Sequence, residues 1–301
     1  MTSERGGDAV GVGMVLGALV AQMIGAALAA RLFPQAGAAG MVALRLGLGA
    51  VLLCLVCRPK VRGYSRADWL VVLAFGAVLA CMNMCFYQAI ARIPLGAAVA
   101  LEVLGPLTLS VVAAKRASSW MWAALAAGGV ALLGRGGFDR LDPIGVGFVL
   151  VAGVLWACYI LLAARSGSRF PKADGLALAL AVSAAFSLPI GLADAGARLF
   201  NPVVLALGVA VAVLASVLPY TLELLALRKL TPSTFAVLTS LAPALAAAAG
   251  FFLLDQTLAL TDIAAIGLVV AACAGAVRTA SPKPVVHRPR LATPVPVGVP
   301  E

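Results

Sequence analysis

The sequence has few charged residues and almost no histidine. Charged residues make up 11% of the 301 residues, against about 25% in soluble domains, and 63% of the residues are hydrophobic. The single histidine, His287, follows the last long apolar run, so no histidine-based metal site or catalytic triad can form among those runs. We therefore expect a polytopic membrane protein with no catalytic residues, no metal site and no cofactor.

Aromatic residues are also scarce, at 6% of the chain, and few of them accompany basic residues. A net charge of +10 would suggest a nucleic-acid partner in a soluble protein, but here the charges lie in short breaks between apolar runs, where they act as topology signals. We expect no nucleic-acid partner. Cys54 and Cys57 have the spacing of a redox or zinc motif, but no second pair accompanies them, so apolar packing is the favoured interpretation.

Long apolar runs fill most of the chain, and each has about the 20 residues that a helix needs to cross a bilayer. The first run follows Arg5 in the manner of a signal peptide, but a near-copy of it lies inside the chain, so we expect it to be retained as the first span. The fold class is all-α. We predict ten spans, at residues 10–31, 38–57, 68–89, 96–114, 119–135, 143–164, 173–192, 203–227, 234–254 and 260–279.

The chain repeats itself. Gly11–Arg31 and Gly145–Arg165 are identical at 11 of 21 positions at an offset of 134 residues, and Ala89–Pro106 aligns with Ala226–Pro243 at an offset of 137. Five spans in each half force the second half to insert upside down relative to the first. Inverted repeats of this kind are typical of transporters whose site lies near the bilayer midplane, between the halves.

These patterns predict four regions: a mobile N-terminus at 1–9, two five-helix repeats at 10–137 and 143–280, and a disordered, proline-rich cytoplasmic tail at 281–301. With both termini in the cytoplasm, the cytoplasmic segments hold 16 Lys and Arg residues and the outer segments hold 5. This bias favours that orientation.

Three ionisable residues lie inside apolar runs, where a charge needs a partner or a water-filled cavity. Arg45 and Glu102 lie at similar depths in spans 2 and 4. We expect both to face a central cavity, either paired with each other or bound to the carboxylate and ammonium of an amino acid. Glu102 could instead exchange protons, and a purely structural salt bridge or an outward-snorkelling Arg45 is the alternative. Glu223 in span 8 is equally well explained as an interfacial carboxylate.

Neutral polar residues accompany these charges. Asn83 and Tyr87 are four residues apart and share one helix face, and span 8 is the repeat mate of their span. Ordinary hydrogen bonding between helices is the alternative to a binding role. The polar candidates are Gln22, Asn83, Tyr87, Gln88, Trp156, Tyr159 and Tyr220.

Three prolines interrupt spans: Pro106, Pro219 and Pro243. Pro106 and Pro243 are equivalent in the two halves. Because proline removes a helical hydrogen bond, matching breaks in inverted halves indicate a binding site or a gating bend.

Residues 91–107 (ARIPLGAAVALEVLGPL) and 216–247 (SVLPYTLELLALRKLTPSTFAVLTSLAPALAA), with the ten spans and the Arg45 position, resemble the EamA branch of the drug/metabolite transporter superfamily and, within it, the threonine/homoserine exporters. The resemblance implies proton-driven export of small amino acids through a cavity lined by spans 3, 4, 8 and 9, with spans 1, 2, 6 and 7 contributing. It carries over to Arg45, Glu102, Pro106, Pro219, Tyr220, Glu223 and Pro243. Ala242 departs from the Glu that the subgroup often has, which leaves the substrate open.

We interpret the chain as a secondary transporter of the bacterial inner membrane that works by alternating access, exchanging a small-molecule substrate for protons across the lipid bilayer. An exporter or importer of another metabolite or drug is the main alternative. A non-transporting sensor or an intramembrane enzyme is disfavoured, since no nucleophile–base pair is visible. Monomer and homodimer are both open.

Overall fold

The computed structural model describes residues 2–114, 117–135, 141–171, 173–227, 229–230 and 232–280, and its regular structure within these ranges is helical throughout. The helices are α1 (Thr2–Arg31), α2 (Phe33–Ala36), α3 (Ala38–Cys57), α4 (Arg66–Ile90), α5 (Leu95–Glu102), α6 (Leu104–Ala114), α7 (Ala117–Arg135), α8 (Pro143–Arg169), α9 (Asp174–Ala195), α10 (Pro202–Ala212), α11 (Leu218–Leu227), α12 (Pro232–Thr239), α13 (Ala242–Leu254) and α14 (Leu260–Ala280).

Eight helical stretches of the described residues are long and apolar enough to cross a membrane, against the ten spans expected from the sequence. Predicted spans 4 and 5 correspond only to the shorter apolar helices Leu95–Leu109 and Trp120–Leu132. The count of ten therefore stays a prediction. The eight stretches are Ala9–Arg31, Ala38–Cys57, Arg66–Ile90, Pro143–Arg169, Asp174–Phe200, Pro202–Glu223, Thr234–Leu254 and Leu260–Arg278.

The structure describes most of the N-terminal segment 1–9 but not the C-terminal tail at 281–301. Helix α1 begins at Thr2, so it includes most of the segment 1–9, which the sequence predicts to be a mobile N-terminus. Whether that segment is mobile stays a prediction. The proline-rich tail at 281–301 lies outside the described residues.

Predicted spans 4 and 9 each contain a break in the helix, and the two breaks lie at equivalent places in the repeat. The helical conformation is interrupted at Val103 between α5 and α6, and at Ser240 and Leu241 between α12 and α13, which is the same place at the repeat offset of 137. Each break lies two or three residues before a proline. Pro106 and Pro243 have no N–H to donate to the carbonyls four residues earlier, and the ring crowds those carbonyls, so the helix cannot continue regularly.

A third proline acts on the join between α10 and α11. Residues Val213–Val217 form a π-helical turn between the two helices. Pro219 follows it and has no N–H, so the carbonyl of Ala215, four residues earlier, is left free to accept a bond from another helix. Pro219 thus leaves the Ala215 carbonyl oxygen available as a hydrogen-bond acceptor inside the bundle.

The helices of the two halves interleave around a central space. Helix α3 packs along α9, α4 packs along α8 and α9, α1 packs along α11 and α13, and α5 packs along α13. Helices α7 and α14 pack against each other beside α6 and α12. The core is rich in alanine, and such small residues let helices approach closely where lipid supplies no hydrophobic force between them.

One crossing is especially close. A Cβ built on Gly105 of α6 would overlap the carbonyl oxygen of Gly153 in α8, and one built on Gly153 would lie 2.8 Å from the carbonyl oxygen of Glu102. Glycine at both positions is what lets the broken helix lie directly on α8. The Glu102 carbonyl is the one that Pro106 leaves without its helical donor.

Candidate functional site

A cavity of about 190 Å³ lies among the helices of both halves, near the two helix breaks. Helices α1, α3, α4 and α5 of the first half and α8, α11, α12 and α13 of the second all contribute to its wall. The lining residues are Leu19, Gln22, Met23, Ala26, Arg45, Met82, Asn83, Phe86, Val99, Glu102, Trp156, Tyr159, Glu223, Thr239 and Ala242.

Arg45 of α3 is buried and held by groups from two other helices. Its Nη2 donates to the Ala215 carbonyl at 2.9 Å, its Nε donates to Ser216 Oγ at 3.3 Å, and its Nη1 donates to the Tyr87 hydroxyl at 3.3 Å. The guanidinium carbon also lies 5.6 Å from the centre of the Tyr87 ring, within cation–π range. The Ala215 bond uses the carbonyl that Pro219 frees, so the guanidinium is fixed at the cavity wall and does not snorkel outward.

Glu102 is the last residue of α5, directly before the break at Val103. It lines the same cavity as Arg45. The equivalent residue of the second half, at the repeat offset of 137, is Thr239, the last residue of α12, and it too lines the cavity. Each half therefore presents a polar side chain at the point where its helix is interrupted.

Other polar residues extend this surface. Asn83 of α4 is buried and donates its amide to the Leu79 carbonyl at 2.9 Å, which fixes the side chain on its helix. Gln22 lines the cavity from α1 and Glu223 lines it from α11, one turn after Pro219. Tyr159 lines it from α8, where its ring lies 5.3 Å from the ring of Phe75. Among the residues that the structure describes, one cation and two carboxyl groups thus line the chamber together with neutral polar and apolar side chains.

The remaining candidates lie elsewhere. Tyr87 does not line the cavity, but its hydroxyl accepts a hydrogen bond from Arg45 and its ring contacts Phe86, and both of these residues line it. Gln88 does not line the cavity, because its side-chain oxygen and its carbonyl each accept a hydrogen bond from Arg92 at 2.7 Å near the end of α4. Tyr220 belongs to α11, but its side chain lies outside the described residues. Pro219 and Pro243 are buried, and Pro106 is half-buried.

The sequence did not predict two polar residues of the site, Thr239 in the cavity wall and Ser216 beside Arg45. Thr239 could have been found by projecting Glu102 through the repeat offset. Ser216 could have been suspected only from its place three residues before Pro219. The apolar liners Met23, Met82 and Phe86 carry no signal that separates them from lipid-facing residues. Among the described residues, no group of three or more His, Cys, Asp or Glu side chains is placed to hold a metal ion.

Comparison with known proteins gives a consistent set of relatives. The family described as "EamA-like transporter family" matches residues 143–278. Threonine/homoserine exporter RhtA of Escherichia coli (strain K12) is 39% identical over 257 residues, which cover 85% of this chain and 87% of that protein. Threonine/homoserine exporter RhtA of Salmonella typhimurium (strain LT2) is 39% identical over 262 residues, covering 86% and 88% respectively.

A solved crystal structure extends the comparison to the fold. It shares 20% sequence identity with this chain and matches it with a TM-score of 0.55, covering 91% of this chain and 97% of the other. At this identity the likeness concerns the fold alone.

Proposed function

The chain belongs to the EamA-like transporter family, and on that premise we propose that it exports threonine, homoserine or similar small amino acids from the bacterial cytoplasm in exchange for protons. As a member of this family it is a small-molecule exporter embedded in a membrane. The specific substrate, the proton coupling and the cytoplasmic placement of both termini belong to the proposal.

The observation that carries the substrate class is the shared cavity of Arg45 and Glu102. A free amino acid has a carboxylate, which a guanidinium can bind with two hydrogen bonds, and an ammonium, which a carboxylate accepts. The lining supplies both partners in one chamber. Its volume of about 190 Å³ is smaller than the roughly 300–1,000 Å³ of pockets for drug-sized ligands, which favours a small amino acid over a drug.

Glu102 supports exchange because one carboxyl group can serve two ligands in turn. Unprotonated, it pairs with the ammonium of the substrate; protonated, it no longer attracts that ammonium, so proton and substrate compete for one side chain. Glu102 is the last residue of α5, so proton and substrate compete for a side chain that lies directly at the break before α6. Arg45, by contrast, stays charged at any working pH and keeps its hold on the carboxylate.

Alternating access follows from the inverted repeat. We propose ten crossings, with residues 10–137 and 143–280 as repeats of opposite orientation. In that scheme α5–α6 and α12–α13 are equivalent broken helices, and they meet at the cavity from opposite sides of the pseudo-twofold axis. Movement of one half against the other would open the chamber to each side in turn.

The test uses protein reconstituted into liposomes, with counterflow of labelled threonine measured with and without an imposed pH gradient. We expect threonine counterflow in the wild type and faster threonine uptake when the vesicle interior is more acidic than the outside, because protons that leave down their gradient drive threonine inward. Glu102→Gln should lose the response to the gradient, because an amide cannot carry the proton. Asp255→Asn, at an exposed carboxylate outside the cavity, is the matched control and should respond as the wild type does.

Two results would contradict the proposal at different points. Wild-type vesicles that do not exchange threonine or homoserine would show that the substrate class is wrong. Exchange with a full gradient response in Glu102→Gln would leave the substrate class in place and remove Glu102 from the coupling.

A further inference from the structure

A second cavity, of about 260 Å³, adjoins the first at the two helix breaks. Trp156 and Thr239 line both cavities, so they form the partition between them. In each half, consecutive residues line different cavities. Glu102 lines the first cavity and Val103 lines the second. In the other half, Thr239 lines both cavities and Ser240 lines the second. The two cavities are therefore neighbours at each helix break.

The chemistry of the two cavities differs sharply. Among the described residues, the charged side chains Arg45, Glu102 and Glu223 line the first cavity and none lines the second. The hydroxyls in the second are already used, since Thr239 Oγ1 donates to the Ala236 carbonyl at 2.9 Å and Ser240 Oγ donates to the Val237 carbonyl at 2.6 Å. Its remaining wall is mainly apolar, with Leu107, Ile160 and Ala236 among the lining residues. Such a space cannot compensate a charge, but it favours an aliphatic group.

We propose that the second cavity is a side-chain subsite, so that amino acids with branched aliphatic side chains, leucine above all, are substrates alongside threonine. Arg45 and Glu102 hold the carboxylate and ammonium, and the side chain passes between Trp156 and Thr239 into the apolar space. This inference rests on the proposed function, because it assumes that the first cavity binds the amino-acid head group. Trp156 then sets how long a side chain the transporter accepts.

The experiment measures how L-leucine and unlabelled L-threonine inhibit counterflow of labelled threonine in liposomes, and the readout is the ratio of their half-inhibitory concentrations. In the wild type we expect leucine to inhibit within about threefold of threonine. Ala236 lines the second cavity and not the first, so Ala236→Phe, which adds a bulky side chain there, should raise the leucine-to-threonine ratio at least tenfold. Trp156→Ala opens the partition and should lower the ratio, an opposite change that loss of folding cannot produce.

Ala244→Phe is the matched control. Ala244 lines neither cavity but a groove between α13 and α14, so the same substitution there should leave the ratio unchanged. The subsite is overturned, while the proposed function stands, if leucine does not inhibit threonine counterflow. The same conclusion follows if Ala236→Phe and Ala244→Phe change the leucine-to-threonine ratio equally. Absence of threonine counterflow in the wild type overturns the proposed function itself, and the inference with it.

Discussion

Arg45 illustrates how a cation is accommodated among apolar helices. An arginine at the centre of a spanning helix costs about 2.5–3.5 kcal/mol on insertion scales. Here the Arg45 guanidinium donates hydrogen bonds to the Tyr87 hydroxyl, the Ser216 hydroxyl and the Ala215 carbonyl. Hydrogen bonds to charged groups contribute roughly 1.5–3 kcal/mol each, which offsets this cost. The geometry of the guanidinium matters, because its donors point to three acceptors in different directions.

Arg45→Lys should therefore reduce threonine counterflow at least tenfold although it keeps the positive charge. A lysine ammonium is a single point with three donors and cannot span the three acceptors. Arg198→Lys is the control, because Arg198 also donates to main-chain carbonyls, those of Ala195 and Asp194, but outside the cavity. Full activity of Arg45→Lys in correctly folded protein, checked by size-exclusion chromatography, would mean that charge alone suffices.

At the scale of helices, the wall of the first cavity includes two helix ends at breaks, those of α5 and α12. Each break follows from a proline, and each places a polar residue, Glu102 or Thr239, at the end of the preceding helix. Not every proline acts this way: Pro189 lies inside α9, which continues through it. The difference supports a functional role for the breaks at the cavity.

Pro106→Ala and Pro243→Ala should make the protein equally or more resistant to thermal unfolding in detergent, while threonine counterflow falls at least fivefold. Alanine restores the missing N–H and is about 3 kcal/mol more favourable than proline inside a helix, so the break would tend to close. Pro189→Ala, at an exposed position in α9, should keep its transport rate. Loss of both stability and transport in the first two variants would instead indicate that the prolines serve packing.

The crossing of α6 and α8 gives a second prediction at this scale. Gly153→Ala should lower the thermal unfolding temperature and reduce transport, because its Cβ would lie 2.8 Å from the Glu102 carbonyl oxygen. Gly147→Ala lies in the same helix with nothing within 4 Å of the added Cβ, and should be neutral or slightly stabilising. Equal effects of the two substitutions would show that α6 and α8 can separate without cost.

At the scale of the molecule, ion pairs join the beginning of the chain to its later part. Arg31 pairs with Asp255 at 3.3 Å, Arg92 with Asp142 at 3.7 Å and Asp68 with Arg169 at 3.1 Å. Arg31 also donates to the Leu253 carbonyl. These side chains are partly or largely exposed, and exposed pairs contribute only about 0–1 kcal/mol each. Contacts this weak are compatible with the movement of the halves that we propose.

The inverted repeat predicts that equivalent loops lie on opposite sides of the membrane. In a background with the six native cysteines replaced by alanine, Val61→Cys should be protected from a membrane-impermeant thiol reagent in intact cells, whereas Ala197→Cys should react. Both positions are exposed, Val61 in a loop and Ala197 in the short 3₁₀ helix Gly196–Phe200, and the two connecting segments correspond at an offset near 134. Permeabilised cells should label both, and labelling of the two from the same side in intact cells would rule out the inverted arrangement.

The sequence alone determined the features that depend on local chemistry. Long apolar runs predict spanning helices because backbone groups must bond internally in lipid. Pro106 and Pro243 predict breaks because a missing N–H acts within one turn. An arginine or glutamate within a run predicts a cavity because a charge cannot remain in lipid unpaired.

Only the tertiary structure decided which face of each helix turns inward. These helices are apolar on nearly every side, so no amphipathic stripe distinguishes a cavity-lining residue from a lipid-facing one. That is why Gln88 could not be separated from Asn83, and why neither the contact of Ser216 with Arg45 nor the second cavity beyond Trp156 could be predicted. Helix rotation is set by close packing between segments far apart in sequence, such as Gly105 on Gly153, and those contacts exist only once the helices have assembled.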